Sequence, residues 1–185
     1  MPEHRSEKSR PAPWHVPVAV EDIAEDGQHF ALAADVNVRA DIAHTVGLRD
    51  LPRLEADLTL IRQGGGGVRV IGRVSATAGQ NCVVSLDPLI NEIEEDVDLL
   101  FMPQSTAELT AAEAETDRAD ANWDEPEPLV GGVVDLGAIA TEFLILGLDP
   151  YPRKPGVVFE PPRDLKPDGG PFAALATWSK DRNDR

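Results

Sequence analysis

The sequence predicts an α+β fold: a mostly antiparallel sheet of about five strands, a short helix after the second strand, and a longer C-terminal helix packed on the sheet. Three observations carry that expectation. Residues 54–60 and 68–77 alternate apolar and polar side chains on either side of a glycine tract, the pattern of a hairpin with one wet face. Between residues 35 and 47 the apolar spacing changes from two to three and four, which is helical. Residues 134–148 (VDLGAIATEFLILGL) are apolar on almost every face, so a helix there must be covered, and the apolar side of the sheet is the available surface.

The elements follow in chain order. Residues 1–13 mix charge, serine and proline and are expected to form a disordered leader, because they cannot bury enough apolar surface to offset chain entropy. Residues 14–20 (WHVPVAV) alternate around Pro17, which has no N–H for a ladder and so suits an edge strand. A turn over 21–28 and a short strand over 29–33 come next. Asp35 then caps a helix that Gly47 closes, with Val36, Ala40, Ala43 and Val46 as its apolar face. In the hairpin, Leu54, Ala56, Leu58 and Leu60 share one side of the first strand. Val70, Gly72, Val74 and Ala76 share one side of the second, opposite Arg69, Arg73, Ser75 and Thr77. The glycines at 64–67 have neither GK[ST] nor a helix after them, so they read as a hairpin tip rather than a phosphate cradle. Residues 80–89 are expected to break the chain before a strand over 90–101. Ile93, Val97, Leu99 and Phe101 share one parity of that strand, and Glu92, Glu94, Asp96 and Asp98 the other.

Residues 104–130 form an acidic insertion, expected to be flexible, with Trp123 as its large apolar anchor. In the last helix Asp135 is the N-cap, Val134 and Ile139 have staple spacing, and Gly147 stands where a left-handed C-cap is wanted. The DPYPRKPG segment behind it is stiffened by three prolines, and residues 161–185 read as a flexible tail. One domain over 14–160 is the expected organisation.

Composition narrows the function classes. The chain has 185 residues, 16 prolines, 15 glycines and 5% aromatics, so its core must be aliphatic. Its net charge of −16 repels phosphate backbones and attracts basic proteins. Cys82 is the single cysteine, so one chain can form neither a disulfide nor a cysteine-rich zinc site. A polar N-terminus and the lack of any long apolar run point to a cytoplasmic protein with no membrane role. No GxSxG elbow is present, and the four histidines have no metal-ligand spacing, so neither catalytic residues nor a cofactor is expected. The rival reading is a hard-cation or ligand-binding enzyme using the carboxylates of 92–98. It lacks the glycine-containing loop such sites use, and it needs a concave pocket.

Three blocks carry a family resemblance: VRVIGRVSATAGQNCVVSLDPL, the acidic strand ending DLLFMP, and VDLGAIATEFLILGLDPYPRKPG. Together they resemble the YceD family, the large ribosomal RNA subunit accumulation proteins. Many members carry CxxC at the position of Cys82 and a second cysteine pair after the terminal helix. Here Ser85 replaces the second cysteine of the first pair, and no cysteine follows Pro150. The resemblance therefore implies no zinc site in this chain. It implies a non-catalytic role in the synthesis, processing or stability of large-subunit (23S) rRNA, with ribosomal or rRNA-processing proteins as partners and direct rRNA contact as a second mode. The candidate contact residues are Arg69, Arg73, Cys82, Trp123, Asp149, Tyr151, Arg153 and Lys154. An acidic adaptor outside ribosome biology is the alternative.

Overall fold

The computed structural model describes residues 13–103 and 126–159. All but the last residue of the expected leader, most of the acidic insertion including Trp123, and the expected tail lie outside those residues. The chain divides after Lys154. Of its second unit only 155–159 are described, a turn at Gly156 (φ +78°) followed by the exposed Val158 and Phe159. Every helix and strand among the described residues lies in the first unit: β1 (Pro17–Ala19), β2 (Gln28–Ala33), α1 (Val36–Val46), β3 (Asp50–Arg62), β4 (Val68–Asn81), β5 (Pro88–Pro103), β6 (Glu127–Leu129), β7 (Val133–Asp135) and α2 (Leu136–Gly147).

Five strands make one sheet in the order β2-β3-β4-β5-β6, and β1 pairs with β7 as a separate two-stranded ribbon. All neighbours in the large sheet are antiparallel except β5 and β6, which run parallel. The two long pairings follow from the alternation. Leu54, Ala56, Leu58 and Leu60 of β3 and Val68, Val70, Val74, Ala76 and Ala78 of β4 are all buried, while the polar residues between them are partly or fully exposed. A one-residue slip would exchange the two sets, so the register is strongly specified. Helix α2 crosses the apolar side over β5, β4 and β3, and Leu136, Ala140 and Leu144 are completely buried.

Both helix starts are as expected. Asp35 accepts hydrogen bonds from the N–H groups of Asn37 (2.8 Å) and Val38 (3.0 Å), and Asp135 from those of Gly137 (3.1 Å) and Ala138 (3.2 Å). Gly47 closes α1 at φ +74°, a conformation that costs an L-residue with a side chain.

Four expectations are corrected. The buried face of α1 is Ile42 and Ala43, while Val36 is exposed. Arg39, one turn on from Val36, fixes this end of the helix to the neighbouring chain by donating to the carbonyls of Ala34 and Leu51. The break at 80–89 is shorter than expected, because β4 runs to Asn81 and β5 begins at Pro88; the cross-strand partners hold these polar residues in the ladder. Gly147 is the last residue of α2, and the C-cap is the extended Leu148 (φ −71°). What Gly147 supplies is close approach: a Cβ there would lie 2.5 Å from Ile93 Cγ2 and 2.8 Å from Glu95 Oε1. Finally, the first strand belongs to the ribbon with β7 rather than to the edge of the sheet.

Candidate interaction surface

The wet face of the sheet shows where two of the candidate residues go. Arg69 donates to both carboxylate oxygens of Asp98 (2.7 and 2.6 Å). Arg73 bonds Asp96 at 2.9 Å and lies 3.9 Å from Glu94. Arg53 reaches Glu92 at 2.9 Å, and Thr77 donates to that same carboxylate. Hydrogen bonds from Arg69 hold the Asp98 carboxyl below its ordinary range, and those from Thr77 and Arg53 do the same for Glu92. All four carboxylates of the β5 face thus have an arginine beside them and are spread along an exposed strand. They do not converge in a pocket, as the rival cation-site reading requires. Arg69 and Arg73 are partners in this ladder and stand apart from the remaining candidates.

Of the others, Cys82, Asp149, Tyr151, Arg153 and Lys154 come together at the other end of β4 and β5. The turn over 82–87 meets the loop over 149–154 that leaves α2, and four ties join that loop to the turn and to the end of β4. Gln80 Nε2 donates to the Asp149 carbonyl (2.9 Å). The Val83 N–H donates to the Pro152 carbonyl (2.9 Å). The Lys154 N–H donates to Cys82 Sγ (3.4 Å), and Lys154 Nζ pairs with Asp87 (3.2 Å). Within the loop, Asp149 Oδ1 accepts from the Tyr151 N–H (2.8 Å), an Asx turn that sets the bend. Pro152 is buried between exposed neighbours, so it anchors the loop while Tyr151, Arg153 and Lys154 point outward.

The 82–87 turn contributes a feature that the sequence did not single out. Leu86 has φ +61° and is the one described non-glycine residue with positive φ. That conformation costs a bulky residue about 1–2 kcal/mol, and it holds the Leu86 side chain 76% exposed. With Tyr151 at 71% exposed and Val83 and Ile90 also exposed, the two loops present apolar and cationic side chains on a hydrogen-bonded frame. Beside them a groove of about 440 Å³ opens, lined by Val46, Leu48, Ile145 and Leu148 among others. The signal for Leu86 in the sequence was the Asp87-Pro88 pair, which marks a tight strand-to-strand connection.

Cys82 lies at the centre of this joint and is fully buried. Its Sγ accepts from the N–H groups of Ser85 and Lys154, each at 3.4 Å. Hydrogen bonds from Lys154 first, and then from Ser85, lower the thiol from its ordinary value near 9 to about 6. The two segments to which the family resemblance assigns cysteine pairs are therefore the two that meet here. Zinc does not fit these residues: there is one sulfur, its lone pairs take backbone N–H groups, and the Lys154 ammonium sits beside Asp87. Among the described residues, no three Asp, Glu, His or Cys side chains are grouped to hold a metal.

The thiolate makes the joint pH-sensitive. A depressed pKa in the folded state means that the unfolded chain binds more protons between pH 6 and 9, so stability rises with pH across that window. It is fully present above pH 9 and lost as the pH falls through 6. Denaturant unfolding of the wild type and of Cys82→Ser at pH 5.5, 7.5 and 9 is expected to show a stability difference that widens with pH. A pH-independent difference would show that the sulfur acts only by filling space.

Fold and site together define a small α+β scaffold that carries a rigid two-loop surface on one end of a sheet. A family model described as large ribosomal RNA subunit accumulation protein YceD matches residues 70–173, and the chain belongs to that family. The matched stretch takes in nearly all of β4, all of β5, α2 and both loops of the joint, while β1 to β3 and α1 precede it. No curated protein and no solved structure matches the chain.

Proposed function

We propose that this protein is a non-catalytic, cytoplasmic factor that supports the synthesis, processing or stability of large-subunit rRNA during ribosome biogenesis, and that it docks a partner on the two-loop surface. One observation carries the reading: the surface built by 82–87 and 149–154 lies wholly inside the stretch that matches the family. Its chemistry suits protein recognition. Tyr151 and Leu86 are large exposed anchors on backbone that is already ordered, so little entropy is lost when they bind. The net charge of −16 favours a ribosomal or processing protein over bare rRNA, because the arginines Arg53, Arg69 and Arg73 are taken by carboxylates. No helix among the described residues is long and apolar enough to cross a membrane.

The test is depletion in the native host followed by complementation. Depletion is expected to lower the ratio of large- to small-subunit rRNA and the large-subunit peak in gradients. The wild-type chain restores both, and a Tyr151→Ala/Leu86→Ala chain at equal cellular level does not. Unchanged rRNA ratios after depletion would remove the reading. A pull-down that recovers the same basic proteins before and after RNase supports protein docking. Recovery of partners outside ribosome assembly alone would favour the adaptor alternative.

A further inference from the structure

A second surface lies at the opposite end of β5. There a groove of about 270 Å³ runs between the end of β5, the β6–β7 connection and the first half of α2. Leu99, Phe101, Val130 and Val133 give it apolar walls, and Glu127 and Glu142 stand on its rim. Val130 is 76% and Val133 42% exposed, so these walls are open to solvent. No lysine or arginine lines the groove, and neither rim glutamate has an ion-pair partner among the described residues. Asp135, the third carboxylate, is already engaged. Burial works against its charged form, but the N–H groups of Val16 and Ala138 and the ring of His15 outweigh that, holding its carboxyl below the ordinary value.

We infer that this groove is a docking site for a lysine- or arginine-rich segment of another protein that carries one or two large apolar side chains. Charge complementarity names the occupant. The groove side of the sheet is where the chain leaves the described residues at Pro103 and returns at Pro126. The intervening stretch holds Glu108, Glu113, Glu115, Asp117, Asp120, Asp124 and Glu125 against the single base Arg118. Those side chains have the same sign as Glu127 and Glu142, whose own field reaches a screening length of about 8–10 Å. A basic segment is drawn in by that field, and its apolar side chains fill the walls. Strand addition contributes little, because the edge strand β6 has three residues and the middle one, Pro128, has no N–H. Side chains therefore do the recognition. The inference rests on the protein-partner half of the proposed function, but its readout involves no rRNA, so the two fail separately.

The experiment uses the full ¹⁵N-labelled chain and the synthetic peptide Lys-Lys-Leu-Phe-Lys-Lys as probe. Amide shifts are expected at Val130, Val133, Ala138 and Glu142, with affinity falling as salt rises. Replacing the rim charges, Glu127→Lys with Glu142→Lys, is expected to weaken binding at least about ten-fold while leaving the rest of the spectrum in place. Val133→Asp tests the apolar wall and is expected to do the same. Hexalysine, which has charge but no anchor, is expected to bind at least about ten-fold more weakly and not to shift Val133. The inference is overturned if the probe perturbs only amides in 104–125, which would make the groove a bystander or the seat of the chain's own segment. Equal affinity in the double variant overturns it as well.

Discussion

Gly72→Ala is expected to be the most damaging single-methyl change in the protein, lowering stability by about 3–5 kcal/mol. Gly72 sits in β4 directly opposite Leu58 of β3, in the middle of the longest-paired part of the sheet. Its φ is +152°, and a Cβ built there collides with the backbone carbonyl of Asp57 and lies 2.9 Å from the Leu58 Cα. The obstacle is backbone rather than the end of a flexible side chain, so relief requires strands β3 and β4 to part. That would break the ladder on which α2 and the joint both depend. Gly64→Ala is the matched control, because nothing lies within 4 Å of its Cβ position and its φ needs no special residue; it is expected to change stability by less than about 0.5 kcal/mol. Urea unfolding of both variants decides the matter, and similar midpoints would show that the β3–β4 pair has slack the geometry does not suggest.

Leu144→Ala should cost about 2–5 kcal/mol and lower the melting temperature by roughly 10 °C. Leu144 is wholly buried in the helix that spans β5, β4 and β3. Removing three carbons there leaves a void under the last turn before the 149–154 loop. The effect should reach the surface: with α2 loosened, the bonds from Gln80, Val83 and Cys82 to that loop have a less fixed partner. Hydrogen exchange at the Val83 and Lys154 amides is therefore expected to quicken together. Leu146, two residues on and 68% exposed, offers the contrast, since its alanine variant should stay within about 0.5 kcal/mol of wild type. Equal losses at the two positions would mean that α2 is not packed as described.

Much of this architecture was readable in particular residues. The β3–β4 hairpin follows from period-two alternation around the glycines at 64–67, and both helix starts from an aspartate placed before the first turn. Arg69 and Arg73 opposite the carboxylates of β5 were also legible, because residues of one parity on neighbouring strands must share a face. The joint was harder. Asp149, Tyr151, Arg153 and Lys154 stood out as a rigid loop and Cys82 as a lone thiol, but their meeting depends on contacts some seventy residues apart, between Cys82 and Lys154 at 72. Local spacing carries no information about such a contact.

What the sequence by itself determined is which side of each long strand is apolar, where helices can begin, and the sign of the molecule's field. Those are properties of periodicity, capping and charge, and each is settled within a few residues. Only the tertiary structure decided which face of α1 is buried, why position 147 favours glycine, and that Leu86 is held outward in a conformation its side chain disfavours. These depend on a neighbouring element: Arg39 bonding to the β2–β3 side, Ile93 and Glu95 crowding the end of α2, and the two loops closing on Cys82. The acidity visible from composition acquires its meaning in the same way. On the sheet face the arginines offset it, while at the β5–β6 end Glu127 and Glu142 leave it open to a basic partner.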